Sequence, residues 1–204
     1  QRRRCDPGPG VVLEGAVERG SWKFYQHAAD AAHVDVAAFL AARSDTVRFV
    51  HDLLSATAAR PAHLGCSGLH EWAMVYRQTP EQLRHDDWPL RLGPEGTDEV
   101  VESHQIQCSH FDAFRFFTPP ALPLNTLAPS RDSQVAMEQP GCLHANMELN
   151  TWAYKLSPAI PSDLTLDCFD LAREIRKLDL RAAPYALTDL GYDPDPNETP
   201  YVKA

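Results

Sequence analysis

Apolar positions recur at three- and four-residue spacing through most of the chain and at two-residue spacing in one short stretch, a pattern that predicts a mainly α protein with minor β. Asp35 caps a short helix carrying Val36, Phe39 and Leu40. Ser44 caps a second, with Val47, Val50 and Leu54 on one face until Pro61 ends it. Residues 63–78 read as loop, loosened by Gly65 and Gly68, and then helix, with Leu69, Trp72, Ala73 and Tyr76 at helical spacing. A polar connection over 79–96 leads to a short helix at 97–102. His104, Ile106, Cys108 and His110 then alternate with Gln105, Gln107 and Ser109 as in a strand. Against that, Ser109 and Asp112 resemble a capping pair ahead of a helical stripe of Phe111, Phe114 and Phe117. The expectation is extended chain to Cys108 and helix beyond it.

Four prolines at 119, 120, 123 and 129 make 118–129 a surface crossover. A short helix is expected within 130–139, stopped by Pro140 and Gly141. A longer one follows over 142–156, with Leu143, Met147 and Tyr154 sharing a face. The clearest spans 162–180, where Leu164, Cys168, Leu171, Ile175 and Leu178 keep a three-four spacing behind a Ser162 cap, which places Cys168 in the core. The reading is a single compact helical domain over 21–183, with an irregular Gly- and Pro-rich arm at 1–20 and a poorly ordered tail at 184–204.

The length of 204 residues and 44% hydrophobic content suit one packed core and are too little for two large ones. No run approaches the ~20 apolar residues of a membrane helix, so no membrane partner is expected. Five cysteines, an odd and dispersed set, fit reduced thiols in the cytoplasm better than a disulfide framework. The first residue is Gln1, so the true N-terminus is expected upstream. A formal charge of -9 repels phosphate backbones, and Arg2, Arg3 and Arg4 form the only basic run.

The chemistry lies in three pairings: Cys66 with His70, Cys108 with His110, and Cys142 with His144. Thiolate and imidazole bind borderline transition metals. A spacing of four puts Cys66 and His70 on one side of a helical turn, and a spacing of two puts Cys108 and His110 on one face of a strand. The cofactor these residues would take is a transition metal, zinc or iron; since six such ligands exceed the four of a closed zinc site, either some are bystanders or the site is open or binuclear. Buried cysteine and histidine are also ordinary core groups, and that reading stands beside the first. Glu71 and Asp112 adjoin two of the pairs as candidates for proton transfer. Trp72, Tyr76 and Trp152 are candidate walls for a flat substrate, and Arg77 and Arg115 candidate anion holders.

The segments HLGCSGLHEWAMVYRQ at 63–78, CSHFDAFRFFTP at 108–119 and EQPGCLHANMELNTWAYKLSP at 138–158 resemble an actinobacterial-type family labelled 3-methyladenine DNA glycosylase, and the likeness runs from Pro7 to Leu187. The resemblance implies hydrolysis of the N-glycosidic bond of an alkylated purine in DNA, with DNA carrying a damaged base as partner. Glu71 and Asp112 would then be catalytic, and the aromatic residues would wall the flipped base. The helix-hairpin-helix segment of the well-characterised helical alkyl-base glycosylases is not found in this chain. Residue chemistry alone points instead to a Cys/His-ligated metalloenzyme or redox enzyme acting on a small molecule, or to a non-catalytic protein with a structural metal cluster.

Overall fold

The computed structural model describes residues 6–66, 68–85 and 87–193. The arginine run at 2–4 and the last part of the expected tail, 194–204, lie outside these residues. The fold is mainly helical with one small sheet. Its residues pack as two compact units, one from 6–54 and 147–172, the other from 55–146 and 173–193. Among the described residues no helix is long and apolar enough to cross a membrane.

In the first unit, strands β1 (Val12–Glu14), β2 (Tyr25–Ala28) and β3 (Ala31–Val34) form an antiparallel sheet in the order β1-β3-β2, with Val12 opposite His33 and Tyr25 opposite Val34. The pattern of the sequence does not announce this sheet. The connection from β2 to β3 lacks an Asn-Gly or Asp-Gly signal, and Ala29 instead takes the left-handed φ of +53° that the tight turn requires. Tyr25, Ala32 and Val34 form the core of this sheet. The buried Asp6 ties the unit together: it accepts hydrogen bonds from Tyr25 Oη (2.7 Å) and Ser157 Oγ (2.9 Å), and its backbone N–H donates to Ser162 Oγ. A buried carboxylate satisfied on both oxygens fixes three distant segments at once.

Helix α1 (Val36–Ala58) is continuous where two helices were expected. Asp35 caps it as read, with Oδ1 accepting from the Ala38 N–H at 2.8 Å. Ser44 stands mid-helix, because no glycine or proline follows to end the first segment and a serine alone does not interrupt a helix.

The second unit is built from short helices. Helices α2 (Leu69–Ala73), α3 (Gly93–Ser103), α4 (Phe111–Phe114) and α5 (Gln134–Met137) precede α6 (Leu143–Leu156) and α7 (Ser162–Ala182), whose residues 143–146 and 173–182 belong here. The core joins Leu69, Trp72, Ala73 and Tyr76 of the α2 region to Val100 and Val101 of α3, Ile106, and Ala113 and Phe117. Trp72 is fully buried and its Nε1–H donates to the Ala182 carbonyl at 2.8 Å.

The stretch 104–110 is extended, yet it joins no strand. Its partner is Asn125 in the crossover: Asn125 Oδ1 accepts from Cys108 N–H at 2.7 Å, Nδ2 donates to Cys108 O at 2.9 Å, and Thr126 N–H donates to Ile106 O at 2.9 Å. The amide supplies both halves of a strand partner. The crossover runs over the surface as expected and is anchored there, with Ala121 and Asn125 buried.

Residues expected as tail from 184 also pair: Ala186 N–H donates to Pro89 O, Arg91 N–H to Pro184 O, and the Arg91 guanidinium to the carbonyls of Arg181 and Tyr185. The apolar stripe read on α7 is only partly used. Leu164 and Leu171 are exposed and Cys168 is half-buried, so Cys168 is not a core residue; Tyr154 of α6 is exposed as well.

Trp72→Ala is expected to lower the unfolding free energy by about 3 to 5 kcal/mol, through lost burial and the cavity left behind. Trp72→Phe should cost less, mainly because the Ala182 carbonyl loses its donor. Urea denaturation of both variants measures the difference.

Candidate metal centre

Four short segments of the second unit bring the three cysteines and three histidines together. Gly68 takes φ +92° ahead of α2, a conformation that suits glycine, and the turn places Cys66 and His70 side by side with Sγ 3.2 Å from Nδ1. The extended stretch carries Cys108 and His110 on one face. Gln139 shapes the third segment: its Oε1 accepts from the His63 and Gly141 N–H groups, both at 2.7 Å, and its Nε2 donates to His63 O. Gly141 passes so close that a Cβ there would lie 2.5 Å from the His63 carbonyl oxygen. That clamp delivers Cys142 and His144 at the start of α6. The fourth segment is the end of α7, which brings Asp179.

The three imidazoles stack in series. His144 lies edge-on to His70, with ring centroids 4.3 Å apart, and roughly parallel to His110 at 5.7 Å. All three cysteines are buried, as are His70 and His110. The neighbouring Cys108 thiol and burial push Cys66 well up, whereas the Cys66 thiol pulls Cys108 down. Cys108 Sγ also donates to the His110 carbonyl at 3.6 Å. Burial pushes the Cys142 thiol up to about 12.

His70 is pushed well below the ordinary histidine range by burial and by its two histidine neighbours, so it is neutral near pH 7. Its Nδ1 lies against the Cys66 sulfur. Its Nε2 faces Asp179 Oδ1 at 3.8 Å, too far for a hydrogen bond, and among the described residues neither atom has a hydrogen-bond partner. The donor atoms of His70, His144 and Asp179 lie within 4.8 Å of one another. Two nitrogens and a carboxylate oxygen are a donor set that would suit zinc or iron(II).

Surrounding groups hold this set in place. Arg176 Nη1 bonds the other Asp179 oxygen and Glu71 Oε1 (3.0 Å). Burial, with the Asp179 carboxylate as a second cause, pushes Glu71 up to about 8. His110 Nδ1 lies 3.1 Å from Glu138 Oε1, and Gln134 Nε2 donates to the same carboxylate oxygen at 2.7 Å. The opposite face of the extended stretch looks elsewhere: Gln107 and Ser109, with Gln139, line a separate cavity of about 330 Å³.

Of the candidate residues, Cys66, His70, Cys108, His110, Cys142 and His144 converge, and Glu71 joins them through Arg176. Asp112 does not; it accepts from Arg115 Nε at 2.7 Å in a half-exposed pair. Trp72 and Tyr76 are core, Tyr76 donating to Glu102 at 2.7 Å, and Arg77 is spent on the same carboxylate. Arg115 covers Phe116, and Trp152, in the first unit, packs edge-on to Phe49. Sequence reading missed Asp179, Glu138 and Arg176. For Asp179 a signal existed: positions 175, 179 and 182 fall on one face of α7, and a lone acid between Ile175 and Ala182 breaks an apolar stripe.

No model of a known family matches this chain, and no curated protein or solved structure matches it. The class is defined by the site alone, a helical protein with a buried His/Cys/carboxylate centre.

Arg176→Ala leaves the buried Asp179 carboxylate without its cation and should destabilise the fold by about 1 to 3 kcal/mol. Adding Asp179→Asn should recover part of that loss. Thermal unfolding of the single and double variants reads both effects.

Proposed function

We propose that this chain is a metal-dependent enzyme that holds one zinc or iron ion on His70 Nε2, an imidazole nitrogen of His144 and Asp179 Oδ1, and acts on a small molecule. The carrying observation is the pair His70 Nε2 and Asp179 Oδ1, buried 3.8 Å apart with no hydrogen-bond partner for either atom among the described residues. A metal cation bound between them would satisfy both. Three protein donors leave a coordination position open, which is the pattern of catalytic rather than closed structural sites. When bound, such an ion supplies Lewis-acid activation of water or substrate.

The chain's own residues orient the donors. Cys66 lies against His70 Nδ1, Arg176 turns Asp179 so that Oδ1 faces inward, and Glu138 sits against His110 beside His144. Arg176 is half-exposed, so the carboxylate side is where a small molecule reaches the centre. The thiols fit a reducing compartment such as the cytoplasm. Base excision rests on the resemblance of the three segments. Its two carboxylates, Glu71 and Asp112, are tied to Arg176 and Arg115, and the geometry favours the metal reading.

Elemental analysis of the full chain, purified anaerobically from medium supplemented with zinc and iron, should find about one ion per chain. His70→Ala and Asp179→Ala should lose it, Cys168→Ser should keep it, and Cys66→Ala should keep a site weakened about 10- to 100-fold. Chelation should lower the melting temperature of the parent protein and leave that of Asp179→Ala unchanged. A metal-free parent protein, or full occupancy in both ligand variants, rejects the proposal.

A further inference from the structure

A second site lies in the first unit, built from residues that the metal centre does not use. A groove of about 980 Å³ runs between the β2 approach, α1, the end of α6 and the start of α7. Lys23, Arg43 and Lys155 line it. All three are exposed, and none pairs with a carboxylate among the described residues. Against them stand Asp6, whose two oxygens are already bonded to Tyr25 and Ser157, and Asp163.

The walls between the cations are aromatic. Tyr154 and Phe169 are 73% and 50% exposed, open ring faces that a folded chain ordinarily covers or uses. Phe24, also in the wall, holds a left-handed backbone at φ +66°, which is unfavourable for an aromatic residue. It is kept there by its carbonyl, which accepts the Asp35 N–H at 2.8 Å, and by its ring, edge-on to Phe39 at 5.1 Å. The strained geometry lets Lys23 stand over the Phe24 ring at 5.0 Å while both line the groove. Lys155 likewise stands 4.3 Å from the centre of the Trp152 ring.

From these features we infer that the groove binds an aromatic phosphate ester. A flat ring lies against Phe24, Tyr154 and Phe169, and the dianionic phosphate sits among Lys23, Arg43 and Lys155. Three unpaired cations suit a dianion better than a single carboxylate, and ring faces beside cations select a ligand that carries both parts. The volume falls within the range of small-molecule sites.

The test titrates 1-naphthyl phosphate into the full chain at low salt, by calorimetry, beside 1-naphthol and inorganic phosphate. Saturable one-to-one binding is expected, with each fragment at least about tenfold weaker and the affinity falling as salt rises. Arg43→Ala, Lys155→Ala and Tyr154→Ala change exposed side chains, so the fold should persist by circular dichroism while binding weakens about tenfold in each. Asp179→Ala should bind as the parent does, which keeps this site separate from the metal centre. No saturation by about 1 mM, inorganic phosphate binding as tightly as the ester, or undiminished binding by Arg43→Ala and Lys155→Ala together overturns the inference.

Discussion

In the interior of the second unit, His70 Nε2 and Asp179 Oδ1 face each other across 3.8 Å, and among the described residues neither has a hydrogen-bond partner. Burying a carboxylate is costly unless its charge is met, and Arg176 meets only one of the two Asp179 oxygens. The other oxygen faces His70 Nε2, while the Cys66 sulfur lies 3.2 Å from Nδ1 of the same ring. Helix α7 supplies the carboxylate, α2 the imidazole, and Trp72 locks the two elements together through the Ala182 carbonyl. Position 179 thus carries a buried carboxylate, one oxygen of which has no hydrogen-bond partner among the described residues.

The extended stretch at 104–110 carries the other half of the centre, and it shows how a strand pattern is realised without a sheet. Its two-residue alternation sends Cys108 and His110 one way and Gln107 and Ser109 the other, toward a separate cavity. What a neighbouring strand would provide comes from one asparagine side chain, Asn125, which takes up both the N–H and the carbonyl of Cys108. The rigid backbone this produces is what lets a cysteine and a histidine two residues apart serve one site. Gln139 plays the matching part on the facing loop, gripping His63 and Gly141 so that Cys142 and His144 enter at a fixed angle.

The first unit follows a different logic. Its small sheet and helix ends are pinned by Asp6, and the aromatic and cationic side chains left over are turned outward rather than inward. Exposed rings on Tyr154 and Phe169 explain why the spacing of apolar residues along α6 and α7 overstated their burial: period reports which residues share a face, and says nothing about whether a partner covers it.

Local spacing along the chain determined the helices α3, α6 and α7 to within a few residues, the cap at Asp35, the alternation of 104–110, and the three cysteine and histidine pairs as the places where chemistry is concentrated. These follow from contacts between residues a few positions apart, which the sequence states directly. Only the tertiary structure decided that β2 and β3 turn through Ala29, that Asn125 stands in for a strand, and that Asp179 and Arg176 meet His70. His70 and Asp179 are 109 positions apart in the chain. A pairing over that distance depends on how whole elements pack, so the sequence can mark Asp179 as an acid within an apolar stripe without stating which residue it meets.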